Sequence, residues 1–213
     1  MCFNISISSN KKAIEKQFEA EFHIDFSFEP KHHISAFSNP EIPVITSEQP
    51  QIIQPSYWGL IPHWIQDISR AEKIRKMTYN AKSETIKEKP SFRDAYDNRC
   101  LIIANGFYEW QYTTSGKICH FITEYDRDML AFAGIHSTWI NPVNREIIYS
   151  TSILTQPANE MMAKIHNIKK RQPVVLSDNI QRQWLEKTMR FEDILDSSFN
   201  QVLKTKIVES PLK

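Results

Sequence analysis

Between residues 100 and 154 the chain carries five β-prone segments in succession, and little else is compatible with that run. The segments 100–104, 107–112, 118–124, 130–140 and 146–154 are short, apolar or alternating. Turn signals separate them: Ala104-Asn105-Gly106, Thr114-Ser115-Gly116 and Asn141-Pro142. Strands joined by such short turns pair antiparallel. The N-terminal residues Phe3–Ser8 alternate apolar and polar and add a strand from the start of the chain. Helical tendency is confined to the flanks. Ser9 and Asn10 can cap a helix over 11–22, with Ile14, Phe18 and Phe22 on one face. Residues 82–97 are helix-prone but broken by Pro90, and 157–165 and 179–187 read as further helices. Residues 51–60 read as a strand interrupted by Pro55, and 174–176 as a short strand. The expected fold class is α+β: a single domain over residues 1–213, with a curved, barrel-like, mainly antiparallel sheet and peripheral helices.

Composition removes several function classes. The four glycines, Gly59, Gly106, Gly116 and Gly134, form no glycine-rich phosphate loop, which argues against P-loop and dinucleotide-binding folds. Cys2, Cys100 and Cys119 are too few for a disulfide framework and lack the paired spacing of a zinc site, so no metal and no cofactor are expected. No apolar run approaches the ~18 residues that span a membrane. The N-terminus has no secretory pattern, so the expected location is the cytosol or nucleoid. Net charge is only +1, but it is unevenly spread: residues 164–173, KIHNIKKRQP, carry four basic groups and no acid. Such a patch beside a histidine suits a phosphate-bearing substrate.

Cys2 is the residue with the most distinctive chemistry. Methionine aminopeptidases remove Met1 before a small second residue, leaving a cysteine with both a free α-amine and a thiol. The amine titrates near ~7.7–8.0 and the thiol near ~8.5, so both are accessible nucleophiles around neutrality. A 1,2-aminothiol condenses with an aldehyde to an imine and then closes a five-membered thiazolidine. The strand beginning at Phe3 would anchor this terminus. Glu109, in Gly106-Phe107-Tyr108-Glu109-Trp110, falls on the strand face opposite Tyr108, Trp110 and Tyr112, and suits proton shuttling. His166 is a natural acid–base group near neutral pH. Asn80 can hold a carbonyl or sugar hydroxyl, or can equally cap a helix. Among the tryptophans, Trp58, Trp139 and Trp184 read as core, and Trp64 as a surface contact.

These pieces, in this order, resemble the SRAP family, the SOS-response-associated peptidases understood as abasic-site cross-linking proteins. The resemblance is carried by Met1-Cys2, Asn39-Pro40, Trp58-Gly59-Leu60-Ile61-Pro62-His63-Trp64, Asn80-Ala81-Lys82-Ser83-Glu84-Thr85, Gly106 to Trp110, Ile165-His166-Asn167 and Arg171-Gln172-Pro173. It implies a catalytic set of Cys2 as covalent nucleophile, Asn80 orienting an opened deoxyribose, and Glu109 and His166 moving protons. It also implies single-stranded DNA bearing abasic sites as the partner of a monomeric protein. Pro40 and Trp64 align with residues that stack on or wedge against flanking bases, and Lys82 stands where the family usually has a phosphate-gripping arginine. Two departures stand out. The family commonly begins Cys-Gly-Arg, whereas this chain reads Cys2-Phe3-Asn4. The usual His-x-Arg-Met-Pro is stretched to residues 166–173, where Lys169, Lys170 and Arg171 offer positive charge for DNA. Two other functions fit the same residues: a thiol peptidase built on Cys2 and His166, and a reader of single-stranded DNA without chemistry.

Overall fold

The computed structural model describes residues 2–193 and 203–212; Met1, on which the processing of Cys2 turns, lies outside them. In chain order, β1 (Asn4–Ile7) leads to α1 (Lys11–Phe18), β2 (Glu21–Phe22), β3 (Lys31–Ser35), a 3-10 turn (Ala36–Ser38), β4 (Glu41–Thr46) and β5 (Gln49–Trp58). Then come α2 (Ile68–Arg75), β6 (Asn80–Lys82) and a second 3-10 turn (Ser83–Thr85). The central run follows without a helix: β7 (Arg99–Ala104), β8 (Gly106–Thr113), β9 (Gly116–Glu124), β10 (Leu130–Ile140) and β11 (Ile147–Pro157). The chain continues through α3 (Glu160–Ile165), β12 (Arg171–Pro173), β13 (Val175–Leu176), α4 (Asp178–Leu185) and β14 (Leu203–Val208).

The strands form two sheets. In the larger, β11, β10, β7, β4 and β5 lie side by side, and β5 returns to pair in parallel with β11 through Ser150↔Tyr57 and Thr151↔Trp58. Five strands therefore close into a barrel, which removes the open edges that a flat sheet would expose. The smaller sheet, in the order β14-β9-β8-β1-β3, is antiparallel throughout. One hydrophobic core joins the two: Ile5, Ile7, Phe107 and Ile122 from the smaller sheet pack with Ile102, Phe132 and Ile153 from the barrel. Phe107 and Phe132 meet across the junction, edge to face, at 5.8 Å between ring centroids. Fully burying one such side chain contributes about 1.5–3 kcal/mol. The α+β class and the barrel-like sheet expected from the sequence are thus present.

Four local expectations are corrected. Asn10 caps α1 by accepting from Ala13 N–H at 2.9 Å, but the helix stops at Phe18 because Glu19 turns left-handed at φ 50°. Phe22 is therefore not on the helix face; it lies in β2 and stacks on Phe28 at 5.1 Å. Strand β5 runs through Pro55 unbroken, since Pro55 faces Pro43 of β4. On its other side Pro55 falls between the short pairings with β2 at Ile52–Ile53 and with β11 at Tyr57–Trp58. Its missing N–H thus costs no ladder bond. Residues 82–97 form the second 3-10 turn and successive tight turns instead of a helix, consistent with Pro90 removing a donor and clashing with a helical turn. The helix expected over 157–165 begins only at Glu160, where Asn159 caps it by accepting from Met162 N–H, and β11 extends through Pro157 instead.

Candidate functional site

Cys2 lies two residues before β1, and β1 is paired on both sides, with β3 and with β8. That double pairing fixes the N-terminal segment. Asn80 completes the hold: its Nδ2 donates to the Cys2 carbonyl at 2.9 Å. Asn80 is therefore not a helix cap. It starts β6, which pairs in parallel with β11 through Ile153↔Asn80. The Oδ1 of the same Asn80 amide is buried and has no hydrogen-bond partner. An unsatisfied buried acceptor is costly and calls for a functional account.

Glu109 lies in β8, whose register with β9 is unbroken from Phe107 to Thr113. Alternation therefore puts it with Phe107 and Gln111, opposite Tyr108, Trp110 and Tyr112, as expected. Its carboxylate acts electrostatically on Cys2, on His166 and on Cys119, raising each. The Cys2 thiol is buried and pushed far above its ordinary value, first by burial and then by Glu109. His166 ends α3 and is nearly buried. Its Nδ1 accepts from Arg171 N–H at 3.1 Å in one tautomer, or donates to the Arg171 carbonyl at 2.9 Å in the other. Burial holds the imidazole below its ordinary value, Glu109 opposes this, and the chain's amino terminus and Lys169 add to the lowering. His166 is accordingly neutral at pH 7. Glu109, His166, Phe3, Asn4 and Lys169 line a cleft of about 520 Å³. The structure thus brings the four sequence-derived residues Cys2, Asn80, Glu109 and His166 to one corner of the molecule.

The candidate DNA-contacting residues divide. Lys82, Lys169 and Lys170 are exposed around this corner. Trp64 is half-buried, with the Arg70 guanidinium 5.3 Å from its ring centroid, and Pro40 is half-buried at the start of β4. Arg171 is different. Its guanidinium is only 11% exposed and pairs with both carboxylate oxygens of Glu84. It also donates to Thr155 O at 2.7 Å and to Thr155 Oγ1 at 3.1 Å. A fork held at four acceptors is spent on the fold, clamping β12 to the Ser83–Thr85 turn.

Sequence reasoning missed Asn167. Its side chain accepts from Tyr112 N–H at 3.1 Å and donates to Tyr112 O at 2.7 Å, so it pins the 166–170 loop to β8 as a strand would. It also missed an aromatic group at residues 3, 37 and 79, because Phe3 and Phe37 meet through β1–β3 pairing and Tyr79 joins them from the chain before β6. Cys100 and Cys119 are buried, and Trp58, Trp139 and Trp184 are core residues whose indole N–H groups each donate to a backbone carbonyl, as expected. Among the described residues no cluster of three or more His, Cys, Asp or Glu side chains has the arrangement of a metal site. No helix among them is long and apolar enough to cross a membrane.

The family model described as SOS response associated peptidase (SRAP) matches residues 1–211. The chain belongs to the SRAP family. Relatives agree with this. The chain is 32% identical to the abasic site processing protein YoqW of Bacillus subtilis over 206 residues, covering 92% of this chain and 85% of that one. It is 31% identical to the abasic site processing protein HMCES of Gallus gallus over 157 residues, covering 64% of this chain and 46% of that longer protein. Among solved structures, a protein from Bacteroides thetaiotaomicron superposes with a TM-score of 0.89 at 28% identity, covering 98% of this chain and 92% of the other. The SRAP fold is therefore shared over essentially the whole described chain.

Proposed function

We propose that this SRAP protein processes abasic sites in single-stranded DNA by covalent capture at Cys2, after removal of Met1, as a monomer acting on DNA in the cytosol or nucleoid. The observation that carries the reading is the hydrogen bond from Asn80 to the Cys2 carbonyl beside a carboxylate, Glu109, whose charge acts on both Cys2 and His166. A nucleophile-bearing terminus is held still while an acid–base pair stands next to it.

An abasic deoxyribose is a cyclic hemiacetal in equilibrium with its aldehyde. Opening it requires loss of the proton on the C1′ hydroxyl and gain of one at the ring oxygen. Neutral His166 and Glu109 can exchange these protons, and the open acceptor of Asn80 suits the sugar hydroxyl that ring opening releases. The α-amine of Cys2 then attacks C1′, and loss of one water gives an imine. The protonated imine places a positive charge beside the Cys2 sulfur, which favours thiolate formation there. Until that charge forms, burial and Glu109 keep the thiol protonated and unreactive. The sulfur then adds to C1′, the former thiol proton ends on nitrogen, and the thiazolidine is complete. Exposed Lys82, Lys169 and Lys170 supply phosphate contacts, with Trp64 and Pro40 available to flanking bases. The captured lesion is shielded from strand breakage, which fits a role in the response to DNA damage. The same surroundings argue against a thiol peptidase, whose standing thiolate requires cationic neighbours and not a carboxylate.

The test is denaturing electrophoresis of Met1-free protein with a single strand carrying one abasic site, beside an intact strand and a Cys2→Ala variant. A heat-stable adduct is expected with the abasic strand alone and is lost in Cys2→Ala. Its intact mass is the sum of protein and DNA less one water. No adduct from Met1-free protein would overturn the proposal.

A further inference from the structure

Phe37 is a large apolar side chain left 65% exposed, one residue into the Ala36–Ser38 turn. Its position is nevertheless fixed. The ring stacks on Phe3 at 5.1 Å with 29° between planes, and Tyr79 abuts it edge-on at 5.7 Å. Tyr79 in turn meets Phe3 at 6.2 Å and donates its hydroxyl to Asn39 Oδ1 at 3.1 Å. The turn itself is tied to the nucleophile's neighbour, because Ala36 N–H donates to the Phe3 carbonyl at 2.8 Å. Phe3 is the residue next to Cys2, and Tyr79 is the residue next to Asn80, which grips Cys2. The exposed ring of Phe37 is therefore backed by the two residues that adjoin Cys2 and Asn80 in the chain. Exposure to this degree does not contribute to the core.

Resting on the capture reading above, we infer that Phe37, backed by Phe3 and Tyr79, is a stacking platform for the nucleobase adjoining the abasic site. An abasic nucleotide interrupts the base stack, so its neighbour has one unpartnered π-face. That face and the open face of Phe37 are complementary, and stacking on an aromatic side chain is tolerant of base identity. The platform thus selects strands in which the nucleotide beside the lesion still carries a base, whichever base it is.

The test separates stacking from chemistry by using a strand with a tetrahydrofuran abasic analogue, which has no aldehyde and cannot be captured. The fluorescent base 2-aminopurine is placed on the 5′ side of the analogue in one strand and on the 3′ side in another. With Met1-free wild-type protein, one of the two strands should show quenching on binding. Phe37→Ala and Phe37→Leu should abolish that quenching and weaken binding about fivefold or more, as expected for the loss of one base–aromatic stack. Phe37→Trp should keep both. Because Phe37 is mostly exposed, all three variants should retain the wild-type melting temperature. If the abasic strand is captured but neither quenching nor affinity changes in Phe37→Ala, the platform is wrong and the capture reading stands. If quenching behaves as described but no covalent adduct forms with a true abasic strand, the platform stands and the capture chemistry is wrong. If the wild-type protein binds neither strand, both fall.

Discussion

Cys2 and Cys100 are both fully buried thiols, yet the two regions around them are built on opposite principles. Around Cys100, in the barrel wall, the thiol and its own carbonyl are both hydrogen-bonded, although Ser152 Oγ in neighbouring β11 is buried without a partner. The thiol lies 3.2 Å from Thr151 Oγ1, Thr151 donates to Ile135 O at 3.0 Å, and the Cys100 carbonyl accepts from Trp184 Nε1 at 2.9 Å. The neighbouring Gly134 leaves no spare room, since a Cβ there would stand 2.9 Å from the Cys100 sulfur and 2.6 Å from Ile102. Burial is the main cause that pushes this thiol up to about 12; the Thr151 hydrogen bond opposes the rise and the Glu48 charge adds to it. Around Cys2 the packing is as tight at the thiol, but an amide acceptor on Asn80 is left open and a carboxylate and an imidazole stand close. Burial by itself therefore does not distinguish a structural cysteine from a reactive one. A carboxylate that acts on both the thiol and an imidazole, beside the chain's amino terminus, does.

The sharpest break of this comparison is to exchange the losses. Cys2→Ala should abolish covalent capture while leaving the barrel intact. Cys100→Ala should leave capture of an abasic strand within about twofold while costing about 1–2 kcal/mol of stability through the lost packing and thiol bond. For a chain of this size that is a fall in Tm of roughly 2–8 °C. Capture assays and calorimetry on the two variants check both halves. Loss of capture in Cys100→Ala at a temperature where the variant is folded would mean that the barrel thiol takes part.

The contrast also marks what was legible in the sequence. The strands from 99 to 157 were readable because alternation and turn residues act locally, and the core roles of Cys100 and Trp184 followed from their apolar surroundings. A curved, barrel-like sheet was expected, but the pairing that closes it was not readable, because β5 and β11 join residues more than ninety positions apart. Strand β4 was hidden by Pro43, which a sequence rule counts against a strand and which only its partner Pro55 makes harmless. At the site, the position of Cys2 and the motif residues Asn80, Glu109 and His166 were visible as residue types, but their convergence was not. Arg171 illustrates the limit. In a basic run it reads as a phosphate contact, and only the fold discloses that Glu84 has taken its guanidinium.

That clamp gives the second prediction. Arg171→Ala leaves Thr155 O without its donor and Glu84 without its fork, in a position where the arginine is largely buried. Because Glu84 is 41% exposed, solvent recovers part of the loss. The expected cost is about 2 kcal/mol of stability, measured by denaturant titration. Arg171→Lys should recover only part of it, since an ammonium cannot make the bidentate pair. DNA affinity measured well below the melting temperature should change less than on removing the exposed Lys169 and Lys170 together. A larger effect of Arg171 on affinity would put its guanidinium on the DNA after all.

The smallest effect tests whether the Cys2 corner is one electrostatic unit. Burial lowers the His166 titration point, and Glu109 works against that lowering. Since the folded value lies below the unfolded one, the unfolded chain binds more protons as pH falls below ~6.5. The contribution of neutral His166 to stability is therefore fully present above that pH and is lost as pH drops towards the lowered folded value. In Glu109→Gln the supporting charge is gone, while the amino terminus and Lys169 still oppose protonation. The His166 titration point should then move further down, as followed by the NMR shifts of its ring protons. An unchanged or raised value would show that Glu109 and His166 do not share their charge. The Cys2 corner would then be a collection of separate groups, like the wall around Cys100, rather than a site able to pass protons between them.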